Sequence, residues 1–185
     1  MPPPSPLPKV FARLDSLNEW LGRGLAWLLL AMMLVEFSIV VLRYAFDINS
    51  NLAQEAVMYS HATVFLLAAA YALRHDSHVR VDIFYRALSV KKKAWIDLLG
   101  TVFLLMPVMI FVVLSSLGYV GKSWGILEGS SEAGGIPGVF VLKTLIPMFG
   151  VLMILQGSVE ITRNALIIAG RIAPPATDEH LEERL

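Results

Sequence analysis

The chain has 185 residues, of which 56% are hydrophobic and only 16% are charged. An average soluble domain carries roughly 25% charged residues, so a lipid bilayer is the expected solvent for this composition. Basic and acidic residues balance at 15 each, which gives no indication of a nucleic-acid partner. The absence of cysteine excludes disulfides, thiolate metal sites and cysteine nucleophiles.

Residues 1–24 precede the first long apolar run. Residues 1–8 contain five prolines and cannot form a helix. From Lys9 onward, apolar residues recur at helical spacing, so a short amphipathic helix could lie on the membrane surface before the first span. These apolar residues are Val10, Leu14, Leu17 and Leu21.

Four apolar segments are long enough to cross a bilayer, which takes about 20 helical residues. They cover residues 25–42, 52–73, 94–120 and 139–169. The last two exceed the required length and are expected to tilt or project, and Pro107 and Pro147 are expected to kink them. The pattern predicts an all-α integral membrane protein whose membrane domain spans residues 25–169.

Lysine and arginine positions predict the orientation of these spans. Twelve positive residues lie in the N-terminal tail, the loop between spans two and three, and the C-terminal side, whereas three lie on the opposite side. This bias favours a cytoplasmic location for residues 1–24, for the middle loop and for residues 170–185. The two halves share neither the spacing of their spans nor a polar pattern, so the sequence shows no internal repeat.

The middle loop has its own pattern over residues 81–93. Val81, Phe84 and Leu88 form one apolar stripe among positive residues, which predicts a short amphipathic helix lying in the cytoplasmic interface. The alternative is a solvated linker, which would not need the stripe. Two histidines and two aspartates within residues 75–82 could suggest a metal site, but nothing closes a coordination shell, and no metal is expected.

Glu36 interrupts the first span near its middle. A central acidic residue costs about 2.5–3.5 kcal/mol on the insertion scale, and each Leu, Ile, Phe or Val returns about 0.3–0.6 kcal/mol. Eleven such residues lie within 25–42, so the helix should insert with Glu36 facing protein rather than lipid. Glu36 could be a proton site or a polar contact to another helix, and the contact is favoured. Arg43 shares its face about 10 Å away, too far to pair.

The second span carries polar residues on one half. Glu55 and Tyr59 are four residues apart and face together. His61 is the only histidine within a span, and a haem or metal site usually needs further ligands. A hydrogen-bonded interfacial histidine is therefore expected.

Small residues predict where helices approach one another closely. Alanines within residues 68–72 of the second span allow this, as do Gly150 and Gly157 in the fourth. Near the cytoplasmic end of the fourth span, Glu160 and Arg163 are three residues apart and are expected to pair.

Several short patterns within residues 40–85 resemble one family. They are Arg43-Tyr44-Ala45-Phe46, the polar stretch 50–55, the small stretch 68–72, and His78-Val79-Arg80-Val81-Asp82 after Arg74. Together they resemble the small permease, or DctQ-like subunit, of tripartite ATP-independent periplasmic (TRAP) transporters. Gln54-Glu55 stands where that family shows an acidic pair.

The resemblance implies a complex in the bacterial inner membrane. A periplasmic binding protein would deliver an organic acid, and a large permease would carry it inward with sodium while this chain acts as its scaffold. The substrate site is then expected in the partner, with no catalytic residue and no cofactor in this chain. The candidates for partner contact or structural roles are Glu36, Arg43, Tyr44, Glu55, Tyr59, His61, His78 and Asp82.

Two other functions fit parts of the sequence. An autonomous proton-coupled exporter of the small multidrug type would use four spans and Glu36, but such chains are shorter and have weak charge bias. A redox membrane anchor would bind haem, which a single membrane histidine disfavours. Transport activity without any partner would identify the exporter. A haem absorption spectrum would identify the anchor.

Overall fold

A computed structural model of the chain describes residues 9–75 and 88–172. Its helices are α1 (Lys9–Phe46), α2 (Asn51–Arg74), α3 (Val90–Gly100), a π-helical turn (Thr101–Leu105), α4 (Met106–Gly125) and α5 (Val139–Ile168). Between residues 9 and 75 and between 88 and 172 there is no β-strand.

Four helical segments are long and apolar enough to cross a membrane. They are Asn18–Phe46, Asn51–Arg74, Val90–Gly125 and Val139–Ile168. The third combines α3, the π-helical turn and α4 in one continuous rod. These segments confirm the predicted all-α fold with four spans.

The first helix is longer than the first predicted span. α1 has 38 residues and therefore extends about 57 Å, against a hydrocarbon core of about 30 Å. It continues through Gly24, so residues 9–24 extend the spanning helix and are not a separate element. The sequence predicted a separate surface helix before the first span, whereas the structure has one continuous helix there.

The middle loop is described only at its two ends. Residues 76–87 lie outside the described part, and with them most of the predicted interfacial helix, His78 and Asp82. Residues 90–93, which were expected in that helix, form the first turn of α3 after Ser89. The third span therefore begins four residues earlier than predicted.

Pro107 explains the π-helical turn in the third span. Proline has no N–H to donate, and its ring would clash with the carbonyl four residues earlier in a regular α-helix. The N–H of Met106 instead bonds to the Thr101 carbonyl oxygen, five residues back. The wider turn lets the helix continue through the proline. α5 likewise continues through Pro147.

α5 lies at the centre of the bundle and contacts α1, α2 and the third span. Two buried glycines of α5 let the third span pack closely against it. A Cβ on Gly150 would lie 2.6 Å from Val113 Cγ2, and one on Gly157 would lie 2.9 Å from Leu105 Cδ2. Both distances are too short for real carbon atoms, so the predicted glycine stripe is confirmed as a helix-packing surface.

A third glycine brings α1 against α2. A Cβ on Gly22 would lie 2.3 Å from Cδ2 of Tyr71, so only glycine leaves room for that ring. Ala70, in the predicted small-residue stretch, is 1% exposed. The contact between α1 and α2 thus depends on a glycine that no sequence pattern indicated.

Most of the apolar surface of the four spans faces outward. At most 17% of the residues in the most apolar window of any span are buried within the chain. Trp27, Phe103 and Phe111 are each about 70% exposed. Lipid or partner helices must cover such surfaces, because a protein with these surfaces exposed to water would aggregate.

Candidate functional site

A cluster of polar contacts ties a loop to the end of the bundle where α1 ends and α2 begins. The carboxylate of Glu55 accepts a hydrogen bond from the Ser130 hydroxyl and another, at 2.6 Å, from the N–H of Ile136. The side-chain amide of Asn51 donates to the Ala133 carbonyl at 3.0 Å. We call residues 126–138 the α4–α5 loop and these contacts the Glu55 cluster.

Glycine is required for this arrangement. A Cβ on Gly135 would lie 2.5 Å from Oε1 of Glu55, so any larger residue would push the loop away from the carboxylate. Tyr59 lies on the same side of α2, with a ring carbon 3.8 Å from where a Cβ on Gly138 would be. Glu55 and Tyr59, which the sequence placed on one face, both face the α4–α5 loop.

An ion pair joins the start of this loop to α5. Glu128 accepts hydrogen bonds from the Lys143 ammonium at 2.5 Å and from the Ser123 hydroxyl at 2.6 Å. The Lys143 bond first, and the Ser123 bond second, hold the pKa of Glu128 below its usual range. Because the folded pKa is lowered, the pair is intact at neutral pH and is lost only when the pH falls through that lowered value.

Aromatic residues of α4 make two further contacts with α5 near this ion pair. The Lys143 ammonium lies 4.1 Å from the centre of the Tyr119 ring. The indole N–H of Trp124 donates to the Thr144 hydroxyl at 2.9 Å. A loop rich in glycine and serine is thus held at both flanks and at its middle.

Glu36 and Arg43 lie elsewhere, in an open groove of about 520 Å³ between α1 and α2. Its polar lining comes from Glu36, Arg43 and Tyr44 of α1 and from Gln54 and His61 of α2. Its apolar walls are Ile39, Val40, Val57 and Met58. We call this the α1–α2 groove, and it brings five polar side chains together.

The charged groups of the groove are not paired with each other. Among the residues that the structure describes, no hydrogen bond or ion pair involves the side chain of Glu36 or Arg43. His61 is exposed and stacks on Phe65 with the ring centres 6.2 Å apart. Within the described ranges, no three histidine, aspartate or glutamate side chains come together as a metal site would require.

A buried polar chain lies toward the opposite end of the bundle. The side-chain amide of Asn18 donates to Oε1 of Gln156 at 2.6 Å, and both residues are buried. Gln156 in turn donates to Glu160 at 3.3 Å. Arg163 completes the chain with a 2.7 Å bond to Glu160, which confirms the predicted pair.

A cluster of ion pairs surrounds Glu19, the residue that follows Asn18. Its carboxylate contacts Arg74 at 3.0 Å, Arg23 at 3.2 Å and His75 Nε2 at 3.4 Å. Arg74 and His75 end α2, so the cluster joins α1 to that end. The contacts Asn18–Gln156 and Glu19–Arg74 join residues 138 and 55 positions apart, so no local sequence pattern predicted them.

Comparison with known proteins gives one family. The sequence model of "Tripartite ATP-independent periplasmic transporters, DctQ component" matches residues 32–166, more than two thirds of the chain. This range includes the α1–α2 groove and the Glu55 cluster. No curated protein and no solved structure matches the chain significantly. The chain therefore belongs to the family of the DctQ component of tripartite ATP-independent periplasmic transporters.

Proposed function

We propose that this chain is the scaffold subunit of a TRAP transporter and does not carry solute itself. It holds a large permease in the inner membrane, and that partner takes up an organic acid with sodium after a periplasmic binding protein delivers the acid. The observation that carries the proposal is the family match over residues 32–166. Family membership makes the chain a small membrane subunit of such a transporter.

The use of polar groups within the bundle supports a scaffold role. Glu55, Glu128 and Gln156 are engaged in contacts between helices or between a helix and a loop. Transport sites in secondary transporters are instead built where broken helices expose backbone groups at the membrane midplane.

Reconstitution tests the proposed function. Liposomes containing this chain and the large permease, with the binding protein outside, should take up an organic acid only under an inward sodium gradient. Omission of any component should reduce uptake to background, because each supplies a separate step. Uptake would be measured with a radiolabelled organic acid, and liposomes without an imposed sodium gradient are the control.

The chain alone provides the decisive contrast. It should give no solute uptake and no proton-driven export of a cationic dye. Dye export by the chain alone, abolished by Glu36→Gln, would overturn the scaffold proposal and establish the exporter alternative.

We also propose that both termini and the middle loop are cytoplasmic and that the α4–α5 loop is periplasmic. The distribution of positive residues supports this orientation. Cysteine at Ser5 or Ser89 should react with an impermeant maleimide only from the cytoplasmic side, and cysteine at Ser131 only from outside. Ser131 is chosen because it is exposed, whereas the adjacent Ser130 hydroxyl bonds to Glu55. The cysteine-free parent is the blank, and labelling of Ser131→Cys from inside would reverse the topology.

A further inference from the structure

We infer that the α1–α2 groove binds one transmembrane helix of the large permease, and that this helix donates a hydrogen bond to Glu36. This inference rests on the proposed function and adds to it the face of contact and the residue that recognises the partner. It follows from the depth, exposure and charge of the groove.

The polar side chains of the groove lie at two depths. Glu36 is ten residues before the end of α1 and His61 is ten residues after the start of α2, so both lie about 15 Å from that end of the bundle. Arg43 and Gln54 are each three residues from the same helix ends, at a depth of about 4–5 Å. The groove therefore has one polar level near mid-membrane and one near the surface.

The deeper level needs a protein partner. Glu36 is exposed, and within the described part of the chain it has no hydrogen-bond donor. Lipid tails offer none, and a carboxyl group facing them at this depth is expensive. Val40 and Met58 are 44% and 49% exposed and form apolar walls against which a helix can pack. A partner helix would cover the walls and supply the missing donor.

Charge disfavours a second copy of this chain in the groove. Two copies inserted in the same orientation keep every residue at the same depth. When two such grooves face each other symmetrically, Glu36 faces Glu36 and Arg43 faces Arg43, because about 10 Å along the helix separates the two levels. Like charges in contact repel, so the complementary occupant is a different chain with a donor opposite Glu36 and an acceptor opposite Arg43.

A phospholipid fits only the shallow level. Its phosphate could contact Arg43 near the surface, but its acyl chains would leave Glu36 against hydrocarbon. A transmembrane helix satisfies both levels at once.

Association with the large permease in nanodiscs tests the groove. Glu36→Leu should weaken the affinity about five- to thirtyfold, the range expected for a lost interhelical hydrogen bond. Glu36→Gln should stay within about threefold of the parent, since an amide also accepts a hydrogen bond. Ser38→Leu is the matched control, because Ser38 lies at nearly the same depth as Glu36 but about 160° around the helix. The Ser38 hydroxyl donates to the Leu34 carbonyl within α1. This substitution should change the affinity less than about twofold.

Photocrosslinking gives an independent measurement. A benzophenone on cysteine at Val40, in the groove, should crosslink to the large permease, and the same probe at Ser38 should not. A crosslink from position 40 to a second copy, or only to lipid, would overturn the inference. Equal affinities of Glu36→Leu and Ser38→Leu would do the same. If the unmodified chain fails to bind the large permease, the proposed function itself is wrong, and that result precedes any comparison of variants.

Discussion

Replacing Gln156 with leucine should destabilise the isolated chain by about 1–3 kcal/mol, the cost of leaving a buried polar group unpaired. Asn18 is 4% exposed and its described hydrogen bond is the one to Gln156, so its amide would lose its acceptor. The same change removes the donor to Glu160. We expect a lower midpoint of thermal unfolding in detergent micelles, followed by circular dichroism.

The double variant Asn18→Leu/Gln156→Leu distinguishes pairing from packing. Removing both partners should recover part of the lost stability, because no buried amide then remains unsatisfied at this contact. The matched control is Gln54→Leu, since Gln54 is exposed and its loss should leave the midpoint within error. Additive effects of the two single changes would show that Asn18 and Gln156 are not coupled.

Replacing Glu55 with leucine should release the α4–α5 loop from α2. The carboxylate accepts from the Ser130 hydroxyl and the Ile136 N–H, and hydrogen bonds to charged groups contribute about 1.5–3 kcal/mol each in favourable cases. Both donors are only half-buried, so water will offset part of the loss. The loop amides should therefore exchange faster by at least about tenfold, measured by hydrogen–deuterium exchange and mass spectrometry.

Glu132→Leu is the control for this change. Glu132 lies in the same loop and is exposed, and among the described residues its carboxylate has no hydrogen-bond partner. Its replacement should leave exchange at Ile136 unchanged. Glu55→Gln should give an intermediate rate, because one oxygen acceptor remains. Equal exchange in Glu55→Leu and the parent would show that the carboxylate does not hold the loop.

The two ends of the bundle thus carry polar contacts of different kinds. Toward one end, Asn18 and Gln156 join α1 to the central helix α5 inside the bundle. At the other end, Glu55 and Glu128 shape a loop that we propose to be periplasmic. The α1–α2 groove differs from both, since the described chain supplies no partner for its charges. We therefore separate bracing residues from the residue that we infer to recognise a partner.

The number of spans and the family could both be predicted from the residues alone. A bilayer sets the length of a spanning helix, so long apolar runs identify the spans without any knowledge of packing. The glycine stripe at Gly150 and Gly157 and the pair Glu160–Arg163 were also predictable, for a different reason. Each depends on the spacing of residues along one helix.

The contacts between helices and loops could be seen only in the folded bundle. Gln156 contacts a residue 138 positions away, and Glu55 contacts a backbone N–H 81 positions away. Helices that are apolar on nearly all sides carry little periodicity to show which face points inward. Gly22 became significant only because helix packing brings the Tyr71 ring against it. The partners of Glu55, Gln156 and Gly22 therefore followed from packing between helices, which no local pattern encodes.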